Sequence, residues 1–317
     1  MTISLVAMDY SCSVQSMFEQ PTHAGSIHSM FHRAVNVAID GTMLSLLSSE
    51  LPRMPNGVRL SSVMLEELLR GLGPGMEVLV GDGGLLIPGC NFSLCLPEAS
   101  PWEPRPDIEG YSWQCETVAQ HVRLLALYLV DRPQRGGLAA LVGQLLLGQA
   151  VQEMPLARMA LPKMQLLARA AWEQDIAGVE EATRGLAGLG PGLTPAGDDV
   201  LAGFAAVMAL LSARISADGT SRSHVAEVIA AVARPRTTVL SGVLLEYAAR
   251  GEVAEQLGEV LLALALPAEE SEAVLQAAEK LLAFGGTSGG DTLLGVLFGL
   301  RALEREFGDD LHSERDI

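Results

Sequence analysis

Residues 97–110, PEASPWEPRPDIEG, separate two stretches of chain with different periodicities, and that switch constrains the fold more than any other feature. Before it, short apolar runs alternate with Gly, Asp and Pro. FHRAVNVAIDGTMLSLLSS carries a D-G turn at Asp40–Gly41 between two such runs, a hairpin signal. VRLSSVMLEELLRGL holds a short helix, and MEVLVGDGGLLIPGCNFSLCLP reads as three strands with tight turns. The first 20 or so residues read as weakly ordered. After Gly110 the apolar residues recur at i, i+3, i+4: HVRLLALYLV, LAALVGQLLLG, ARMALPKMQLLARAAWEQD and VAEVIAAVA are helical by this rule. AVLQAAEKLLAF starts after P-A-E-E and is expected to end at Gly285. The expected class is α+β: a β-rich region over 1–109, a helical domain over 110–304 and a polar tail over 305–317, with Pro97–Gly110 as the linker. No tandem repeat is evident.

Hydrophobic residues make up 49% of the 317, with only 4% aromatic, so the core is aliphatic and suits packed helices. The net charge of -17 repels phosphate backbones and argues against nucleic acid as a partner. It does not exclude a local anion site built from backbone N–H groups and helix ends. The four cysteines form no C-x-x-C pair and the six histidines are scattered, which argues against a disulfide framework or a zinc site. The longest apolar run, VLLALALP, is too short to span a bilayer, and the start lacks the pattern of a signal peptide. The expectation is a cytoplasmic protein without membrane association.

Two loops stand apart from this background. GLGPGLTPAGDDVLAGF runs from Gly188 to Phe204, and FGGTSGGDTLLGVLFGL from Phe284 to Leu300. Each has clustered glycines, a Thr and one or two Asp, then an apolar helix with a Gly four residues after the last Asp. Asp199 and Gly203 therefore share a helix face, as do Asp291 and Gly295. A Gly inside a helix costs about 1 kcal/mol against Ala, so something is expected to approach both backbones closely, most simply the other glycine-bearing helix. As punctuation, the aspartates are N-caps and the glycines C-caps. As chemistry, the loops form one site for a small polar or anionic ligand at two helix N-termini. Gly190, Gly192, Gly286, Gly289 and Gly290 then let the backbone come near, while Thr194, Thr287, Ser288 and Thr292 add hydroxyls. Asp198, Asp199 and Asp291 orient an amino or amide group, or a Mg²⁺ ion. Neither loop matches a nucleotide-binding fingerprint.

GPGLTPAGDDVLAGF and GGTSGGDTLLGVLFGL resemble the two signature segments of the AllH-type subunit family of bacterial oxamate carbamoyltransferase. FHRAVNVAIDGTMLSLL resembles that family's N-terminal strand segment, and TTVLSGVLLEYAARG the segment between the signatures. Ala196–Gly197 departs from the pattern, where more polar residues are expected. The resemblance implies a subunit of an enzyme of allantoin and purine breakdown. That enzyme converts oxalurate and phosphate to oxamate and carbamoyl phosphate, and the subunit works with an FdrA-like subunit and a further carbamoyltransferase subunit. It implies as ligand a small anion: carbamoyl phosphate, phosphate or another N-carbamoyl compound. No cofactor is assigned, and Mg²⁺ is left open. On this reading Asp198, Asp199 and Asp291 are the catalytic candidates.

Other residues admit two readings. Arg33, in the resembling N-terminal segment, is suited to bidentate recognition of carboxylate or phosphate, or is a surface charge on an edge strand. His28 and His32 flank it. Arg234 and Arg236 supply charge to a nearby anion or solvate a turn. Cys115 reads as an inert thiol. Two other functions remain open: a non-catalytic metabolite-binding partner of an FdrA-like protein, and a stand-alone Mg²⁺-dependent hydrolase.

Overall fold

The computed structural model describes residues 3–90, 92–132, 136–149, 154–216 and 219–304. The polar tail expected over 305–317 lies outside them. The chain divides into two compact units, Met1–Arg105 with Val253–Glu255, and Pro106–Glu252 with Gln256–Ile317.

The first unit is a ten-stranded sheet. Its strands are β1 (Ile3–Val6), β2 (Asp9–Ser11), β3 (His23–Phe31), β4 (Ala34–Ile39), β5 (Thr42–Ser48), β6 (Gly57–Leu60), β7 (Glu77–Gly81), β8 (Gly84–Ile87), β9 (Phe92–Cys95) and β10 (Ser100–Trp102). Two helices accompany them, α1 (Gln15–Glu19) and α2 (Ser62–Gly71). The strand order is β1-β9-β8-β7-β3-β4-β5-β6-β2-β10. The expected hairpin is β4–β5, with Val37 opposite Leu44 and Ile39 opposite Thr42. Its two-residue turn holds Asp40 at φ 47° and Gly41 at φ 80°, the left-handed pair that a tight hairpin requires. Period-2 alternation sends Val35, Val37, Leu44 and Leu46 into the core beside Phe18, Ile27 and Leu65. Burying each such side chain contributes ~1.5–3 kcal/mol.

One expectation fails here. The N-terminal segment is not weakly ordered: β1 pairs in parallel with β9, and β2 pairs antiparallel with β6 and in parallel with β10. Only Ala7 and Met8 separate β1 from β2. One continuous stretch therefore joins the two ends of the strand order and curls the sheet on itself. Its partners are 50 to 90 positions away, so local pattern could not reveal it. The Pro-rich stretch holds one strand, since Ser100–Trp102 forms β10, and the chain passes from the first unit to the second after Arg105, within that stretch. A Pro is tolerated there because β10 is an edge strand.

The second unit is helical, as expected. It comprises α3 (Cys115–Val130), α4 (Val142–Leu147), α5 (Pro155–Glu173), α6 (Ile176–Leu186), α7 (Ala196–Leu210), α8 (Ser212–Ile215), α9 (Ser223–Ala233), α10 (Val239–Ala249), α11 (Glu255–Ala263), α12 (Ser271–Leu282) and α13 (Ser288–Arg301). The chain is α+β. Helix α12 ends at Leu282, three residues before the expected Gly285. Helix α7 is buried all round and apolar beyond its first turn, and between Ala196 and Met208 only Ala202 escapes burial. Such a helix belongs at the centre, and α13, α9 and α10 pack around it. No helix among the described residues is long and apolar enough to cross a membrane.

Candidate functional site

Both glycine loops lie in the helical unit, and the helices that follow them touch through their glycines. A Cβ added at Gly203 would lie 2.2 Å from the Thr292 carbonyl oxygen, and one at Gly295 would lie 2.1 Å from that of Val200. One turn on, Gly299 faces Phe204 and Val207. The contact positions rise together along the two helices, so α7 and α13 run parallel and both N-termini point to the same end. The contact is reciprocal: each glycine meets a carbonyl three residues before the other glycine. A further glycine on each helix extends the match, and Gly289, expected to face a ligand, instead packs on backbone. Gly197 sits against the Leu186 carbonyl at the end of α6, and Gly289 against the Leu281 carbonyl in α12, at 2.1 and 1.9 Å from the added Cβ. The shared signal is Gly-x-Asp-x-x-x-Gly, present as Gly197–Asp199–Gly203 and Gly289–Asp291–Gly295.

This arrangement sorts the glycines. Those inside the helices allow backbones to meet. Gly190 lies close to the Ala196 N–H, whereas Gly192, at φ 105°, and Gly286 have nothing within 4 Å of an added Cβ. Gly290 is buried in α13, and Thr292 contributes its carbonyl to the Gly203 contact. The loops touch through their hydroxyls, with Thr194 Oγ1 3.1 Å from Ser288 Oγ. Neither helix start has a side-chain cap: Pro195 and Thr287 occupy the two N-cap positions. The aspartates are not caps but lie inside the first turn.

Each aspartate is buried, with 2%, 8% and 0% of Asp198, Asp199 and Asp291 exposed. Their partners differ. Asp198 accepts the Gly188 N–H at 2.8 Å and the Thr237 hydroxyl, which ties the first loop to the start of α10. Thr238 caps α10 and, with Ser241, donates to the Leu193 carbonyl. Asp291 Oδ1 accepts the N–H groups of Leu138 and Ala139 at 2.6 and 2.8 Å. Both its oxygens press on Gly137, where a Cβ would stand 2.6 Å away. The Oδ2 atoms of Asp199 and Asp291 are buried without a hydrogen-bond partner. Burial raises all three acids. Asp291 reaches about 6 although two N–H groups favour its charged form. Asp199 goes well above the ordinary range, through burial first, with the Asp291 and Asp198 charges adding and the Ser288 and Thr194 hydroxyls opposing.

Arg33 belongs to the first unit, in the turn between β3 and β4, where it is exposed and lies 3.6 Å from Glu50. His28 bonds Ser29, and Asn36 is buried between Ser29 and Ser45. Arg234 pairs with Glu246 at 2.9 Å. Arg236 is exposed, and its carbonyl packs on Gly188. Cys115 is a free thiol whose Sγ lies 3.8 Å from the Ile215 carbonyl. Among the described residues no three His, Cys, Asp or Glu are grouped to hold a metal ion.

Residues 6–101 match the AllH family N-terminal domain, and residues 186–300 match the family described as oxamate carbamoyltransferase subunit AllH. The chain belongs to the AllH family. No solved structure matches it. The second AllH match runs from the end of α6 to the end of α13, so both loops, the three aspartates and the parallel helix pair fall inside it. The AllH subunit description also means that the family works within a larger assembly. The N–H groups that hold Asp291 come from Leu138 and Ala139, in the stretch between the two matched regions.

Proposed function

We propose that this chain is the subunit of a carbamoyltransferase that binds the transferred group. In this reading the enzyme moves a carbamoyl group between an amide nitrogen, as in oxalurate and oxamate, and phosphate, in nitrogen breakdown. FdrA-like and further carbamoyltransferase subunits complete it. One observation carries the reading: two parallel helices start side by side without side-chain caps, with open glycines on both loops. Each N-terminus carries about half a unit of positive charge. The N–H groups of Gly197, Asp198 and Gly289 are taken by the Leu189, Pro195 and Phe284 carbonyls, and among the described residues those of Ala196, Ser288 and Gly290 have no acceptor. Together they suit a phosphate, and they suit the oxyanion that forms when a carbamoyl carbon is attacked. Such a site can exist on a chain of charge -17, because backbone donors do not enter that count. The family match supports the carbamoyl reading.

The test is calorimetric titration of the chain with carbamoyl phosphate, phosphate and oxamate, with and without Mg²⁺, beside Gly286→Ala. An added methyl at Gly286 meets no protein atom, so the variant keeps its melting temperature. Binding that is weakened ~10-fold or more, a loss of about 1.4 kcal/mol, supports a ligand seated on the second loop. Binding unchanged in the variant overturns that placement.

A further inference from the structure

The three aspartates are alike in burial but not in the bonds they make, and the difference separates their roles. The carboxylate of Asp198 receives a backbone N–H and a hydroxyl, and that of Asp291 receives two backbone N–H groups. An N–H can only donate, so each of these two carboxyls gives acceptor lone pairs to the backbone and anchors a loop. No backbone N–H among the described residues donates to Asp199. Its neighbours are the hydroxyls of Ser288 and Thr194, which can accept as well as donate. Its Oδ2, like that of Asp291, is buried and unpartnered. What sets Asp199 apart is a side chain more than nine-tenths buried that is held by no N–H and whose neighbours are the two hydroxyls that join the loops. The charges that act on it are Asp291 on α13 and Asp198 beside it, both negative. Among the described residues no Lys, Arg or His pairs with it.

We propose that Asp199 carries a proton and delivers it to the nitrogen that leaves when the carbamoyl group is transferred, while Asp198 and Asp291 are positioning residues. The inference rests on the carbamoyl-transfer reading. An amide nitrogen is a poor leaving group and needs a proton as its bond to carbon breaks. A hydrogen phosphate oxygen bonds to the carbamoyl carbon. The carbon–nitrogen bond breaks, its electron pair stays on nitrogen, and nitrogen takes the Asp199 proton. The Asp199 carboxylate recovers the proton that the phosphate hydroxyl gives up, so the site returns to its starting state. Burial favours the neutral acid before the reaction, in line with this role.

The experiment uses the chain assembled with the subunits that copurify with it, phosphate as acceptor, and a series of N-carbamoyl amides and anilides whose leaving nitrogens differ in basicity. Asp199→Asn keeps the shape and removes the proton. It is expected to lose ~10²-fold or more on the most basic leaving group and little on the least basic. Asp198→Asn is expected to change all donors by the same factor. An equal loss across the series for Asp199→Asn, with wild type active, overturns the inference alone. No carbamoyl transfer by the wild-type assembly overturns the functional reading and the inference together. If Asp199→Asn does not fold, infrared difference spectra of the wild type between neutral and alkaline pH decide. A protonated-carboxyl band lost at alkaline pH supports the assignment, and its absence refutes it.

Discussion

At the residue scale, Asp291 shows how one side chain can hold a loop and strain a balance. Its Oδ1 satisfies two buried N–H groups. Asp291→Ala would leave both unpaired, at ~1–3 kcal/mol each, whereas Asn can still accept them through its carbonyl. Denaturant titration should therefore find the alanine variant much the less stable of the two. The same residue sets a pH dependence. Its folded pKa, about 6, lies above the 3.8 of the unfolded chain. The folded state thus binds the proton more tightly, and the stability this contributes is present at low pH and lost as pH rises from about 4 through 6. Two pH units correspond to at most ~3 kcal/mol. Asp291→Asn should remove this slope, so the gap between wild type and variant should widen in favour of wild type as pH falls from 7 to 5. The pattern Asp-x-x-x-Gly was legible in the sequence, because i and i+4 share a helix face. The anchoring of Asp291 was not, because its donors come from residues about 150 positions away.

At the element scale, the pairing of α7 with α13 depends on the absence of side chains at Gly203 and Gly295. The helices are close because a carbonyl of each occupies the place of the other's missing Cβ. Ala at either position must push backbone, not a flexible side chain. Gly203→Ala and Gly295→Ala should each lose ~1–3 kcal/mol or more and should also weaken anion binding, since separating the helices separates the two N-termini. Gly286→Ala should do the second without the first. Comparing melting temperature with calorimetric affinity across the three variants distinguishes packing glycines from ligand-facing ones. Sequence reading anticipated that two glycine-bearing helices meet. It did not yield their parallel direction, because spacing within a helix says nothing of its neighbour's polarity.

At the scale of the whole molecule, the first unit depends on a segment that reads as disordered. Asp9, on β2, is buried and receives Arg59 at 2.5 Å and Arg53 at 3.3 Å, which ties the closing strand to β6 and the loop before it. Asp9→Ala would take the carboxylate from a nearly buried guanidinium, leaving Arg59 only the Ser49 and Leu51 carbonyls, and should cost ~3 kcal/mol, read as a lower melting temperature with faster proteolysis near the N-terminus. The amino-acid sequence by itself determined the α+β class, the β4–β5 hairpin, the switch to helix after the Pro-rich stretch and the two glycine loops. Each of these is written in local periodicity or turn chemistry, within a few residues. Only the tertiary structure decided that residues 3–11 close the sheet, that α7 and α13 lie parallel, and that three similar aspartates end in three different bonding environments. These depend on partners far away in the chain, and a carboxyl group's charge and role follow from the donors that folding brings to it.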